Sequence, residues 1–68
     1  MLILQTKYAI CRISPFIEFH AGNGEMTERF EKIEMYATKE EAQSIVDTWD
    51  EHGQEGTKVI PIEITCRL

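Results

Sequence analysis

The stretch Thr38–Gly53, TKEEAQSIVDTWDEHG, carries its own start, face and stop. Thr38 is placed to cap a helix with its hydroxyl, and Glu41, three residues on, can reach back to the Thr38 N–H to complete a capping box. Glu40 and Glu41 set negative charge at the positive end of the helix dipole. Ala42, Ile45, Val46 and Trp49 recur at helical spacing and make one apolar stripe. Gly53 stands where a left-handed residue would end the helix. The reading is one amphipathic helix of about 14 residues, roughly 20 Å long. Asp50 and Glu51 run against the dipole at its far end, with only His52 to offset them.

Such a helix needs an apolar sheet face to lie on, and the flanking segments supply strands. Leu2–Ile13 is rich in β-branched and aromatic residues and has no glycine or proline. Both of its alternations are apolar, with Leu2, Leu4, Tyr8 and Ile10 on one and Ile3, Ala9, Cys11 and Ile13 on the other. That pattern fits a central strand covered on both sides. Ser14-Pro15 interrupts it, and Phe16, Ile17 and Phe19 resume an extended pattern. His20–Gly24 is a turn in which Asn23-Gly24 supplies positive φ angles, and Arg29–Ala37 is read as the returning strand. After the helix, Gln54–Gly56 is a short loop. In Lys58–Leu68, Ile60, Ile62, Ile64, Cys66 and Leu68 point one way, and Pro61, Glu63, Thr65 and Arg67 the other. Pro61 marks an edge or a bulge.

The expected fold is a single small α+β domain over residues 1–68, in the order β-β-α-β. Its sheet is three-stranded and mainly antiparallel, in spatial order 2-1-3, with the helix packed on one face. The last strand runs antiparallel to the first in one of two registers. One sets Leu2 against Leu68 and Ile10 against Ile60; the other sets Cys11 against Cys66 and Ile13 against Ile64. The two bury opposite faces of the first strand. The helix stripe is expected to cover the isoleucine ladder of the last strand. Phe16, Phe19, Phe30 and Tyr36 would then gather on or near the other face, as an exposed group suited to a partner.

The net charge of −5 is unevenly placed. Glu25–Glu55 holds ten carboxylates against three basic side chains, a net of −7, and the rest of the chain is net +2. This disfavours direct contact with nucleic acid or an anionic membrane, which need a basic footprint, and suits docking on a basic protein. Glu40, Asp47, Asp50 and Glu51 are the acidic candidates. No charged-then-apolar leader opens the chain, no run is long enough to span a bilayer, and two cysteines are too few for a disulfide scaffold. The expected compartment is the cytoplasm.

Motifs for chemistry are missing. Cys11, Cys66, His20 and His52 form no close-spaced ligand pair, and read as two buried thiols and two surface histidines. Neither Ser14 nor Ser44 has a nucleophile context, and no Gly-Lys-Ser/Thr follows the glycine turn. The expectation is therefore no enzyme, no cofactor and no metal. The functional reading is a small protein–protein interaction module, a homodimer joined through an uncovered sheet face or an edge strand. The competing readings are a small regulator or inhibitor docking its acidic surface on a basic or nucleic-acid-binding partner and, behind it, an enzyme or metal protein. In size and in its lone capped helix between strands, the chain is similar to short accessory proteins of bacteria and phages. That likeness is compositional and gives no residue a role.

Overall fold

The first and last strands are the longest elements of the computed structural model, which describes residues 1–13 and 16–67. Strand β1 (Leu2–Arg12) and strand β4 (Thr57–Arg67) pair antiparallel along their whole length. Between them come β2 (Glu18–His20), β3 (Met26–Thr27), a 3₁₀ turn (Phe30–Lys32), α1 (Lys39–Asp47) and α2 (Glu51–Gln54). The sheet order is β3-β2-β1-β4, all antiparallel. The α+β class and the central first strand agree with expectation; the sheet has four strands instead of three, and the helix is two helices.

The returning strand is β3, not Arg29–Ala37. Gly22, Asn23 and Gly24 all take positive φ (87°, 54° and 75°), which closes the turn so tightly that the Ala21 N–H donates to the Glu25 carbonyl at 2.8 Å. The partner of β2 is therefore reached at Met26. The chain then leaves the sheet through the 3₁₀ turn and touches it again at two points. The Glu34 N–H donates to the His20 carbonyl, and Tyr36 exchanges both backbone hydrogen bonds with Tyr8.

The β1–β4 register is neither of the two expected. Tyr8 lies opposite Pro61, Ile10 opposite Val59, Cys11 opposite Lys58 and Ile3 opposite Cys66. Each expected register is displaced from the observed one, so the two cysteines stand far apart on the ladder. Tyr8 gives its backbone groups to Tyr36, so Tyr8 and Pro61 form a non-hydrogen-bonded pair and the missing proline N–H costs the ladder nothing. Pro61 faces outward on an edge strand, one of the two placements its residue type allowed.

This register turns the isoleucine ladder away from the helix. Side chains directly opposite one another share a face, so Ile60, Ile62, Ile64 and Cys66 lie with Ala9, Lys7, Gln5 and Ile3. The helix stripe packs instead on the even residues of β1. Ile10, Ala42 and Val46 are the buried cluster, with Tyr8, Tyr36, Ile45, Trp49 and Val59 packed against it. The expectation that the helix lids the ladder is overturned, because Tyr36 and Pro61 fix the register and the register fixes the face.

The helical segment starts as read. The Glu41 N–H donates to Thr38 Oγ1 at 3.1 Å, while the Glu41 carboxylate reaches one residue farther back than a capping box requires, to the Ala37 N–H. It does not run on to Gly53. The Thr48 hydroxyl donates to the Ile45 carbonyl at 2.6 Å, and Asp50 turns extended, its Oδ1 accepting from the Gly53 N–H at 2.7 Å. Side chains of this kind compete with the backbone for helical hydrogen bonds. Asp50 is thus the N-cap of α2 and Glu51 lies in its first turn, where negative charge is favourable. Neither opposes a dipole, and the left-handed residue after the helices is Gly56, at φ 75°.

Candidate interaction surface

Strand β1 is about 36 Å long at 3.3 Å per residue, and α1 about 14 Å at 1.5 Å per residue. The helix covers only the second half of β1, where Ile10 is buried beneath it and Ala9 and Cys11 are buried on the opposite face. The first half, with the matching end of β4, projects as a bare two-stranded arm. Leu2, Ile3 and Leu4 remain 56, 43 and 68% exposed. Leu2 and Leu4 lie on the helix side, Ile3 on the other, so the arm is apolar on both faces.

The whole molecule registers this arm. Its accessible surface is 5187 Å², where a compact monomer of its mass exposes about 4,400 Å². Its radius of gyration is 12.7 Å, with extents of 44 × 23 × 18 Å, against about 11 Å for a compact chain of this length. The excess surface is about 800 Å², the area that one partner gives to a standard protein–protein interface.

The backbone of the arm is also open on one side. Tyr8 turns both its N–H and its C=O away from β4, and in a strand every second residue points the same way. Leu2, Leu4 and Thr6 therefore direct their backbone groups outward, and among the described residues no strand pairs with them there. The outer edge of β4 is interrupted by Pro61 and bordered by Glu63 and Arg67, the residue types that guard edges. On β1 no proline or charge stands before Lys7.

The residues expected to meet a partner do not come together. Phe16 and Phe30 are exposed at 66 and 61%, Phe19 is half-buried opposite Cys11, and Tyr36 packs into the core beneath the helix. The aromatics are divided between core and surface, and the exposed apolar group is aliphatic. Among the acidic candidates, Glu40 lies in the first turn of α1, and Asp47 accepts from the Gln43 amide at 3.0 Å. Asp50 and Glu51 serve α2 as described. All four are exposed.

Two more expectations reverse. Cys66 is exposed on the arm, because its ladder is not the core. His20 is only 4% exposed, its ring edge-on to Trp49 at 5.0 Å. Burial lowers the His20 pKa, and the Glu34 carboxylate partly opposes this. Burial raises the Cys11 pKa against the pull of Lys58, its cross-strand neighbour. Tyr36 is pushed up by burial and then by Glu34. Among the described residues no three His, Cys, Asp or Glu side chains gather to hold a metal ion, and no helix is long and apolar enough to cross a membrane. No protein-family model, curated protein or solved structure matches the chain.

Proposed function

We propose that the protein is a non-catalytic interaction module that pairs with a second copy of itself through the arm. The observation that carries this reading is the bare ribbon, apolar on both faces and open along the β1 edge at Leu2, Leu4 and Thr6. A two-stranded ribbon is marginal on its own, and three or more strands are needed for a stable sheet. Antiparallel pairing of β1 with β1 of a second copy, centred near Leu4, sets Leu2 against Thr6 and Ile3 against Gln5. The same edge serves both partners, as a two-fold interface requires. The arm then becomes a four-stranded sheet in the order β4-β1-β1-β4, with both helices on one side.

The test is the mass in solution. Light scattering and sedimentation should give twice 7.9 kDa at micromolar concentration, and Leu4→Pro, which removes the central N–H, should give monomer with the helix signal retained. A mass of 7.9 kDa at every concentration, or an unaltered dimer in Leu4→Pro, would sink the reading.

The acidic surface supports a second reading, a regulator docked on a basic partner in the cytoplasm. Glu40, Asp47 and Glu51 are exposed and make no ion pair among the described residues. Capture of a basic protein that survives high salt and charge reversal at these three positions would remove its basis.

A further inference from the structure

The Glu34 N–H donates to the His20 carbonyl and the Tyr36 N–H to the Tyr8 carbonyl, so the chain is extended between these two residues. Side chains two apart in an extended segment share a side, and Tyr36 is on the helix side, packed against the buried cluster. Glu34 is therefore on that side too. An open cavity of about 510 Å³ lies there, lined by Glu34, Tyr36, His20, Ile45, Trp49 and the Gly22–Gly24 turn. The Glu34 carboxylate sits at its wall. Oε2 is 3.6 Å from the point that a Cβ on Gly22 would occupy, and, after the larger effect of burial, its charge acts on both His20 and Tyr36. Glu34 is exposed, and its carboxylate makes no hydrogen bond or ion pair with another described residue. No lysine or arginine lines the cavity. Arg12, Asp50 and Gly53 line a second cavity that shares His20 and Trp49 with this one, and the two charges there are of opposite sign.

We propose that this cavity binds a small organic cation of the methylated-ammonium type, its charge beside the Glu34 carboxylate and its methyl groups against Trp49, Tyr36 and Ile45. Aromatic residues and one unpaired carboxylate make a wall that attracts positive charge and repels anions. A bare ammonium is strongly hydrated, and Trp49, Tyr36 and Ile45 offer little to replace that water. A cation whose charge is wrapped in methyl groups gives up less water and gains apolar contact. The volume is within the range of small-molecule sites. No residue of the arm lines the cavity, so the inference is independent of self-association.

The probe is choline, and the readout is the emission of Trp49, the one tryptophan of the chain, which lines the cavity. Ionic strength is held constant, and the pH is kept above the ordinary histidine range so that His20 is neutral. Choline should change the emission saturably, with half-saturation on the order of 1 mM. Its neutral isostere, with carbon in place of the charged nitrogen, should bind about tenfold more weakly. Glu34→Gln should weaken choline binding about fivefold with circular dichroism unchanged. Glu63→Gln, which removes the same charge from β4 on the arm, should leave it as in the parent. Trimethyl-lysine as its blocked amide is the second arm. Tighter binding than that of choline supports the same site with a protein side chain as the source of the cation, and weaker binding supports a free ligand. A choline response still linear at about 50 mM, equal binding of the neutral isostere, or equal loss in the two glutamate variants overturns the inference, since the Glu34 carboxylate is then only solvated.

Discussion

Tyr8 and Tyr36 exchange two backbone hydrogen bonds, each of 2.8 Å, across an isolated bridge. That one contact decides which way β1 faces. It takes the backbone groups of Tyr8 away from β4, so the residue opposite Tyr8 is one of the alternate positions on the β4 ladder that tolerate proline, and Pro61 occupies it. Slipping β4 by one residue would set Pro61 where its missing N–H is needed and would carry the isoleucine ladder under the helix. The buried face follows from the pair.

The face assignment is testable with one methylene. Ile10→Val trims a fully buried side chain and is expected to cost about 0.5–1.5 kcal/mol in urea unfolding. Ile62→Val, on the face away from the helix and half-buried, should cost clearly less. A larger loss at Ile62 would reverse the faces.

Asp50 separates a cap from a charge. As N-cap of α2 it is expected to lose about 1 kcal/mol on Asp50→Ala, while Asp50→Asn, which caps equally well, stays near the parent. An Asp50→Ala protein as stable as the parent would mean that the bond to Gly53 contributes nothing.

His20 makes the fold sensitive to acid. Its pKa in the fold is lowered from the ordinary 6.5 by burial, so between the two values the unfolded chain binds the proton more readily than the folded one. Stability is therefore full above about pH 6.5, falls as pH drops through that value, and levels off below the folded pKa. Thermal unfolding of the parent and of His20→Asn at a series of pH values checks this, since the slope below pH 6.5 should shrink in the variant. Equal slopes would assign the effect elsewhere.

The two thiols should react in sequence. Cys66 is exposed on the arm and Cys11 is buried, with its thiol pushed toward the unreactive neutral form by burial. Mass spectrometry after brief alkylation of the native protein should find one label, at Cys66, and two after denaturation. Equal labelling of both in the native state would contradict the burial of Cys11.

The local signals in the chain were legible and the long-range ones were not. Thr38, Glu41 and the stripe from Ala42 to Trp49 mark a helix start and face because their partners lie within one or two turns, and Asn23-Gly24 marks a turn for the same reason. The break at Asp50 is hidden in the sequence because a cap and a badly placed charge look alike until the Gly53 N–H is seen on Oδ1. The clean alternation of Ile60, Ile62 and Ile64 invited a core assignment that only the distant Tyr8–Tyr36 bridge overrules. The arm was not legible, because the double alternation of β1 reads as a strand covered on both faces, whereas α1, at nine residues, is too short to reach its first half. Arg12 and His20 carry no spacing that marks them, and Trp49, Asp50 and Gly53 reach the same cavity from a later part of the chain only through the fold.

Pro61 has a last consequence, for stoichiometry. A sheet with two open edges is a monomer unit of a polymer, since each added copy exposes the edge that recruits the next. Among the described residues the only long unguarded edge is the one on β1, and the proposed pairing would consume it in both copies. What remains outermost is β4, with a gap in its donor row at residue 61. In the proposed dimer growth would have nowhere to continue, and the proline opposite Tyr8 would also hold the count at two.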